Sequence, residues 1–130
     1  GSGRCVYETD HMIPLSRQAV VVLRELKWFV RDNHYVFEQH KNPKKPMSEN
    51  TMLYALYRMG YRGKATVHGF RATASTILNE KGYRSDVIEL LLAHVEKNQV
   101  RAAYNRAEYL DERREVLQWW ADYLDEISVD

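Results

Sequence analysis

The sequence predicts one mainly α-helical domain with a small β component. Apolar residues recur at three- and four-residue spacing in several separate stretches, and β-type runs are few and short. A chain of 130 residues with 45% hydrophobic content is enough for a single core. No internal repeat and no low-complexity tract interrupts it.

Taken in order, Gly1-Ser2-Gly3 reads as a cloning remnant, which leaves 4–130 as the natural sequence. His11 to Leu15 is expected to be a short strand or edge segment, ended by Pro14. Ser16 offers an N-cap for a helix over 16–31, with Ala19, Val22, Leu23, Leu26, Phe29 and Val30 on its apolar face. Tyr35-Val36-Phe37 is a brief β-type run. Lys41 to Pro46 is a basic loop in which two prolines forbid helix. Ser48, followed three residues later by Thr51, starts a helix that should end at Gly60. The next spans about 68–81, with Phe70, Ala74, Ile77 and Leu78 facing inward and Gly82 as its stop. Ser85 is the expected cap of a helix at 86–94 carrying Val87, Ile88, Leu91 and Leu92. A short helical stretch at 98–104 follows. The last helix, about 110–127, presents Leu110, Leu117, Trp120, Ala121, Leu124 and Ile127.

A single cysteine, Cys5, can form no internal disulfide, and no apolar run reaches the ~20 residues a bilayer requires. A reducing, cytoplasmic setting is expected. The net charge of +1 conceals an uneven distribution: 17 Lys and Arg against 10 Asp and Glu from Gly1 to Ala107, then 2 against 8 from Glu108 onward. Two solvated faces would account for this. So would a basic body suited to a phosphate backbone, followed by an acidic segment that points elsewhere.

Three short segments carry candidate chemistry. His68-Gly69-Phe70-Arg71 puts an imidazole and a guanidinium three residues apart, on one face at the start of a helix, where free N–H groups favour a phosphate. His94 closes the apolar run Leu91-Leu92-Ala93. Tyr104 follows ten residues later in Ala102-Ala103-Tyr104-Asn105-Arg106. Each alone fits a surface histidine, a salt-bridged arginine or an ordinary aromatic residue.

Together, in this order and spacing, they resemble the C-terminal signature of the tyrosine recombinases of the phage-integrase type. The segments HMIPLSR (from His11), KPMSENTM (from Lys45), HGFRATASTILN (from His68) and VRAAYNRAEYL (from Val100) look like the prophage and genomic-island integrases, as does the closing Trp119 to Leu124. The resemblance implies the tyrosine-recombinase catalytic-domain fold, lacking its N-terminal part. It implies site-specific DNA recombination, in phage or prophage integration and excision, through a 3′-phosphotyrosyl intermediate. Tyr104 would be the nucleophile, and Arg71 would hold the non-bridging phosphate oxygens. His68 would exchange the nucleophile's proton, and His94 would donate a hydrogen bond to the phosphate. The implied partners are double-stranded DNA attachment sites and other integrase protomers in a synaptic complex. No metal or other cofactor is implied, and no membrane.

Two family positions have no counterpart. The second catalytic arginine belongs upstream of His11, and the hairpin lysine that protonates the leaving 5′-oxygen should fall near residue 6, where the chain reads Cys5-Val6-Tyr7. Lys41, Lys44 and Lys45 lie in a different loop. The 130 residues alone are therefore expected to be inactive. The alternative is a non-catalytic DNA-binding or assembly module of the same fold. Whether the acidic C-terminal helix docks on its own domain or on a neighbouring protomer stays open at this level.

Overall fold

A computed structural model describes residues 12–92 and 109–128. Among them are five α-helices: α1 (Arg17–Leu26), α2 (Thr51–Arg58), α3 (Val67–Lys81), α4 (Ser85–Leu91) and α5 (Leu110–Ile127). The expected stretch at 98–104 lies outside the described residues.

The core is small. Leu78 of α3, Val87 and Ile88 of α4 and Val116 of α5 pack together, each no more than 3% exposed. Tyr83, Leu91, Leu92, Tyr109, Trp119 and Trp120 close around them. Helix α3 delivers Leu78 to this point and then stops at Gly82, whose φ of +96° is a left-handed conformation that costs a glycine little. The chain turns at once into α4, so two short helices share one apolar seam.

Helix α5 therefore docks on its own domain. Its buried face is only partly the stripe that apolar spacing picks out. Arg113 and Val116 are fully buried, Leu117, Trp120 and Ala121 are half-buried, and Leu124 and Ile127 are exposed. Arg113 falls within that stripe, between Trp120 and Leu124, and its guanidinium Nη1 donates to the Met12 carbonyl at 2.8 Å. Burial pushes that guanidinium below its ordinary pKa, because a charge removed from water is disfavoured.

Helix α1 begins where expected, with the Ser16 hydroxyl accepting from the Ala19 amide at 3.1 Å. It ends sooner. A 3-10 turn at Lys27–Phe29 follows Leu26, and Val30 is extended. None of the α1 residues is fully buried, and Val22 and Phe29 of the expected apolar face are exposed, as is Trp28 at 90%.

What holds α1 is a polar lattice on α5. The Arg17 amide donates to Gln118 Oε1, and Gln18 Nε2 donates to both Asp122 Oδ1 and Asp125 Oδ2 at 2.8 Å. Gln118 Nε2 closes the lattice on Gln18 and Asp122. Hydrogen bonds from Gln18 and Gln118, helped by the Arg17 charge, hold the Asp122 carboxyl below its ordinary range. Beside the lattice lies an apolar groove of about 350 Å³, between Ile13–Leu15, α1 and the Trp120–Leu124 side of α5.

Three further expectations change. No strand forms over 12–15, because the described residues offer it no partner strand, while His11 lies outside them. Among the described residues the small β component is one antiparallel bridge between Glu38 and Pro46. Helix α2 starts after Asn50, with Ser48 turning the chain before it by accepting from the Thr51 and Asn50 amides. Ser85 is the first residue of α4 rather than its cap. Arg84 takes the cap position, and the Ser85 hydroxyl donates to Asn79 Oδ1 instead.

Ile88→Ala should lower stability by about 2–5 kcal/mol, since it leaves a cavity in a core this small. Thermal melting should fall by roughly 6–20 °C. Truncation after Leu110 removes Arg113 and Val116 and should abolish the cooperative melt of the monomer. Asp122, its pKa depressed in the fold, adds stability above the pKa it has when unfolded, and that contribution disappears as pH falls through its folded pKa. Asp122→Asn should therefore flatten the acid side of a plot of melting temperature against pH.

Candidate active site

The start of α3 carries the first candidate pair. Thr66 caps the helix, its Oγ1 accepting from the Gly69 amide at 2.9 Å. His68 and Arg71 then occupy the first two turns, three residues apart on one side. His68 is exposed and Arg71 half-buried. Arg71 stands seven residues before Leu78, about two turns, and so shares its helix face. The buried core thereby orients the arginine: Leu78 fixes the rotation of α3, and the same face emerges at the N-terminus carrying Arg71.

Gly69 has a reason of its own. A Cβ there would sit 2.9 Å from Thr66 Oγ1, too close for the cap to survive unchanged. The glycine inside His68-Gly69-Phe70-Arg71 thus allows the capping hydroxyl its place. Thr66 itself was missed in the sequence, although a threonine just before a helical run is a recognised start signal. Phe70, expected in the core, is exposed. Its side of α3, about 100° around the helix from Arg71, borders a hollow of about 330 Å³ lined by Gly63 to Thr66, Gly69, Phe70 and Thr73. Neither His68 nor Arg71 lines that hollow.

His94 and Tyr104 lie outside the described residues. The residues flanking that segment, Leu92 and Tyr109, both pack against the cluster that anchors α3. Tyr109 is a packing residue. Its ring lies 4.5 Å below the Arg84 guanidinium, and its hydroxyl is the chief cause that raises the Arg84 pKa. Arg84 also pairs with Glu112 at 3.0 Å. Together with the Arg17–Asp122 pair, this ties the acidic segment to the basic body. Several of its carboxylates are bound to that body in cis.

The residues 7–110 match the model of the phage integrase family. This chain belongs to the phage integrase family. It is 45% identical over 123 residues to prophage integrase IntA of Escherichia coli (strain K12), covering 95% of this chain and 30% of the relative. It is 49% identical over 120 residues to the integrase of Enterobacteria phage P4 (89% and 27%), and 44% identical over 117 residues to the integrase of Shigella phage Sf6 (89% and 30%). The chain thus spans about 30% of the length of these relatives. No solved structure matches it. No helix among the described residues is long and apolar enough to cross a membrane.

Gly69→Ala ordinarily gains about 1 kcal/mol of helix propensity. Here that gain should be cancelled by the displaced cap, which is worth roughly the same. In a Thr66→Ala background no cap remains to lose, and Gly69→Ala should then stabilise. A urea-denaturation double-mutant cycle reads the difference. Simple additivity would show that Thr66 and Gly69 are not coupled.

Proposed function

We propose that this chain supplies the C-terminal part of the catalytic domain of a site-specific tyrosine recombinase acting in phage or prophage integration and excision. Membership of the phage integrase family supports the reaction class. The observation that carries the site is the placement of His68 and Arg71 at a capped helix start whose opposite end is locked in the core.

The chemistry follows from charge and geometry. The Tyr104 oxygen attacks a backbone phosphorus, a tyrosyl O–P bond forms, and the bond to the 5′-oxygen breaks. His68 accepts the phenolic proton and can return it in the reverse step. Negative charge on the non-bridging oxygens grows toward the transition state. A planar guanidinium at Arg71 meets two of them at once, assisted by the partial positive charge of the α3 N-terminus. His94 adds a further donor. The 5′-oxygen leaves with a proton, which in the resembled family comes from a hairpin lysine outside these four residues. The phosphate bond energy is conserved in the tyrosyl link, so a 5′-hydroxyl can reverse the step without a nucleotide cofactor. Double-stranded attachment sites and further integrase protomers are the partners this reading requires, inside a bacterial host cell.

The test is a chimera that joins this chain to the upstream region of the phage P4 integrase, trapped on a nicked attachment-site duplex. A covalent adduct should map to Tyr104, and Tyr104→Phe should abolish it with DNA affinity nearly unchanged. Arg71→Ala should slow adduct formation on the order of 10²–10³-fold. An adduct on Tyr109, or a full rate without Arg71, would overturn the assignment. Absence of any adduct while DNA still binds would favour the non-catalytic module.

A further inference from the structure

Between α1 and α2 the chain makes a turn that the proposed chemistry does not use. The Gln39 amide donates to the Lys45 carbonyl and the Met47 amide to the Phe37 carbonyl, each at 2.8 Å, on either side of the Glu38–Pro46 bridge. At the tip, Asn42 accepts twice, from the Lys45 amide through its carbonyl and from the Lys44 amide through its side chain. Pro43 and Pro46 restrict the backbone further.

One ion pair braces the base of this loop. Glu38 Oε1 accepts from the Arg31 amide and from Arg31 Nε at 2.9 Å, and Oε2 accepts from the Asp32 amide. Arg31 Nη2 reaches across to the Gln39 and His40 carbonyls at 3.1 and 2.7 Å. The loop is thus ordered by its own hydrogen bonds.

That order holds three like charges close together. Lys41, Lys44 and Lys45 are all exposed, and none has an ion-pair partner among the described residues. Between Lys41 and Arg71 the sequence has seven Lys and Arg and a single acid, Glu49. Elsewhere in the described chain Arg17, Arg31, Arg84 and Arg114 are matched by carboxylates. The cations there without an ion pair, Arg24, Lys27 and Lys81, are scattered, whereas three of the five residues 41–45 are lysines. An ordered loop that concentrates unmatched cations has a use where a polyanion neutralises them, because the entropy of ordering has already been met.

We propose that the loop 37–47 is a second contact with the DNA backbone, separate from the His68–Arg71 site, and that Arg31 and Glu38 are its positioning residues. The choice of duplex DNA as ligand rests on the recombinase reading above. The loop then grips phosphates through Lys41, Lys44 and Lys45, adding affinity that is independent of sequence and of the cleavage step.

The test is fluorescence anisotropy of the 130-residue chain with a duplex, titrated across salt concentrations. The triple variant Lys41→Ala, Lys44→Ala, Lys45→Ala should make the slope of log K against log salt shallower by about 2–3, since each neutralised phosphate contributes roughly 0.9. Affinity near 0.1 M salt should fall on the order of 10- to 100-fold. A slope unchanged to within about half a unit overturns the contact.

Glu38→Gln separates bracing from bulk charge. It removes a negative charge, so electrostatics alone predicts equal or tighter binding. A braced loop predicts weaker binding, by about threefold or more, because the carboxylate that gathers three donors is gone. Equal or tighter binding overturns the positioning role. Thermal melting controls for folding, as both variants lie outside the Leu78–Val116 core. The outcomes for the two readings differ. A Tyr104 adduct with an unchanged triple-variant slope leaves the recombinase reading and removes the loop. A lost slope with no adduct in the chimera does the reverse.

Discussion

Leu78, Val87, Ile88 and Val116 are the residues on which the remaining architecture depends, since burying them against one another is what ties α3, α4 and α5 together. With only four such hydrophobic side chains at the centre, the helix rotations that let them meet are tightly constrained. Leu78 must point at α4 and α5, and that requirement sets the direction in which Arg71 leaves the same helix two turns earlier. The position of the candidate phosphate ligand is therefore a consequence of packing at the far end of α3.

Polar contacts complete the arrangement where apolar area runs short. Helix α1 presents no fully buried residue to α5, yet Gln18, Gln118, Asp122 and Asp125 are linked by short hydrogen bonds across the pair. The buried Arg113 performs a related task on the other side of α5, satisfying the Met12 carbonyl and drawing the segment before α1 onto the helix. Losing a partner costs most at the buried Arg113, whereas solvent can replace the partners of the exposed Asp122 and Asp125. The acidic composition of α5 is explained in part by this role. Asp122, Asp125 and Glu112 are ligands for α1 and α4.

The start of α3 shows a similar economy of means. Thr66 caps α3, Gly69 leaves room for the cap, and His68 and Arg71 occupy the turns that follow.

The sequence by itself determined the helices and the family. Apolar spacing located all five described helices to within a few residues, because 3.6-residue periodicity and glycine or hydroxyl caps are local properties of the chain. The order and spacing of His68, Arg71, His94 and Tyr104 resemble the integrase signature, and residues 7–110 match that family. Tertiary structure alone decided which faces are buried. Phe70, Val22 and Phe29 look like core residues and are exposed, while Arg113 looks like surface and is buried. Spacing cannot tell which positions of an amphipathic helix are buried when the difference depends on a distant carbonyl at Met12 or on the seam between α3 and α4. The destination of α5 likewise had to wait for the fold, since an apolar stripe beside acidic residues suits its own domain and a neighbour equally. The contacts from Val116 and Asp122 are long-range in sequence, and only the folded chain brings their partners within reach.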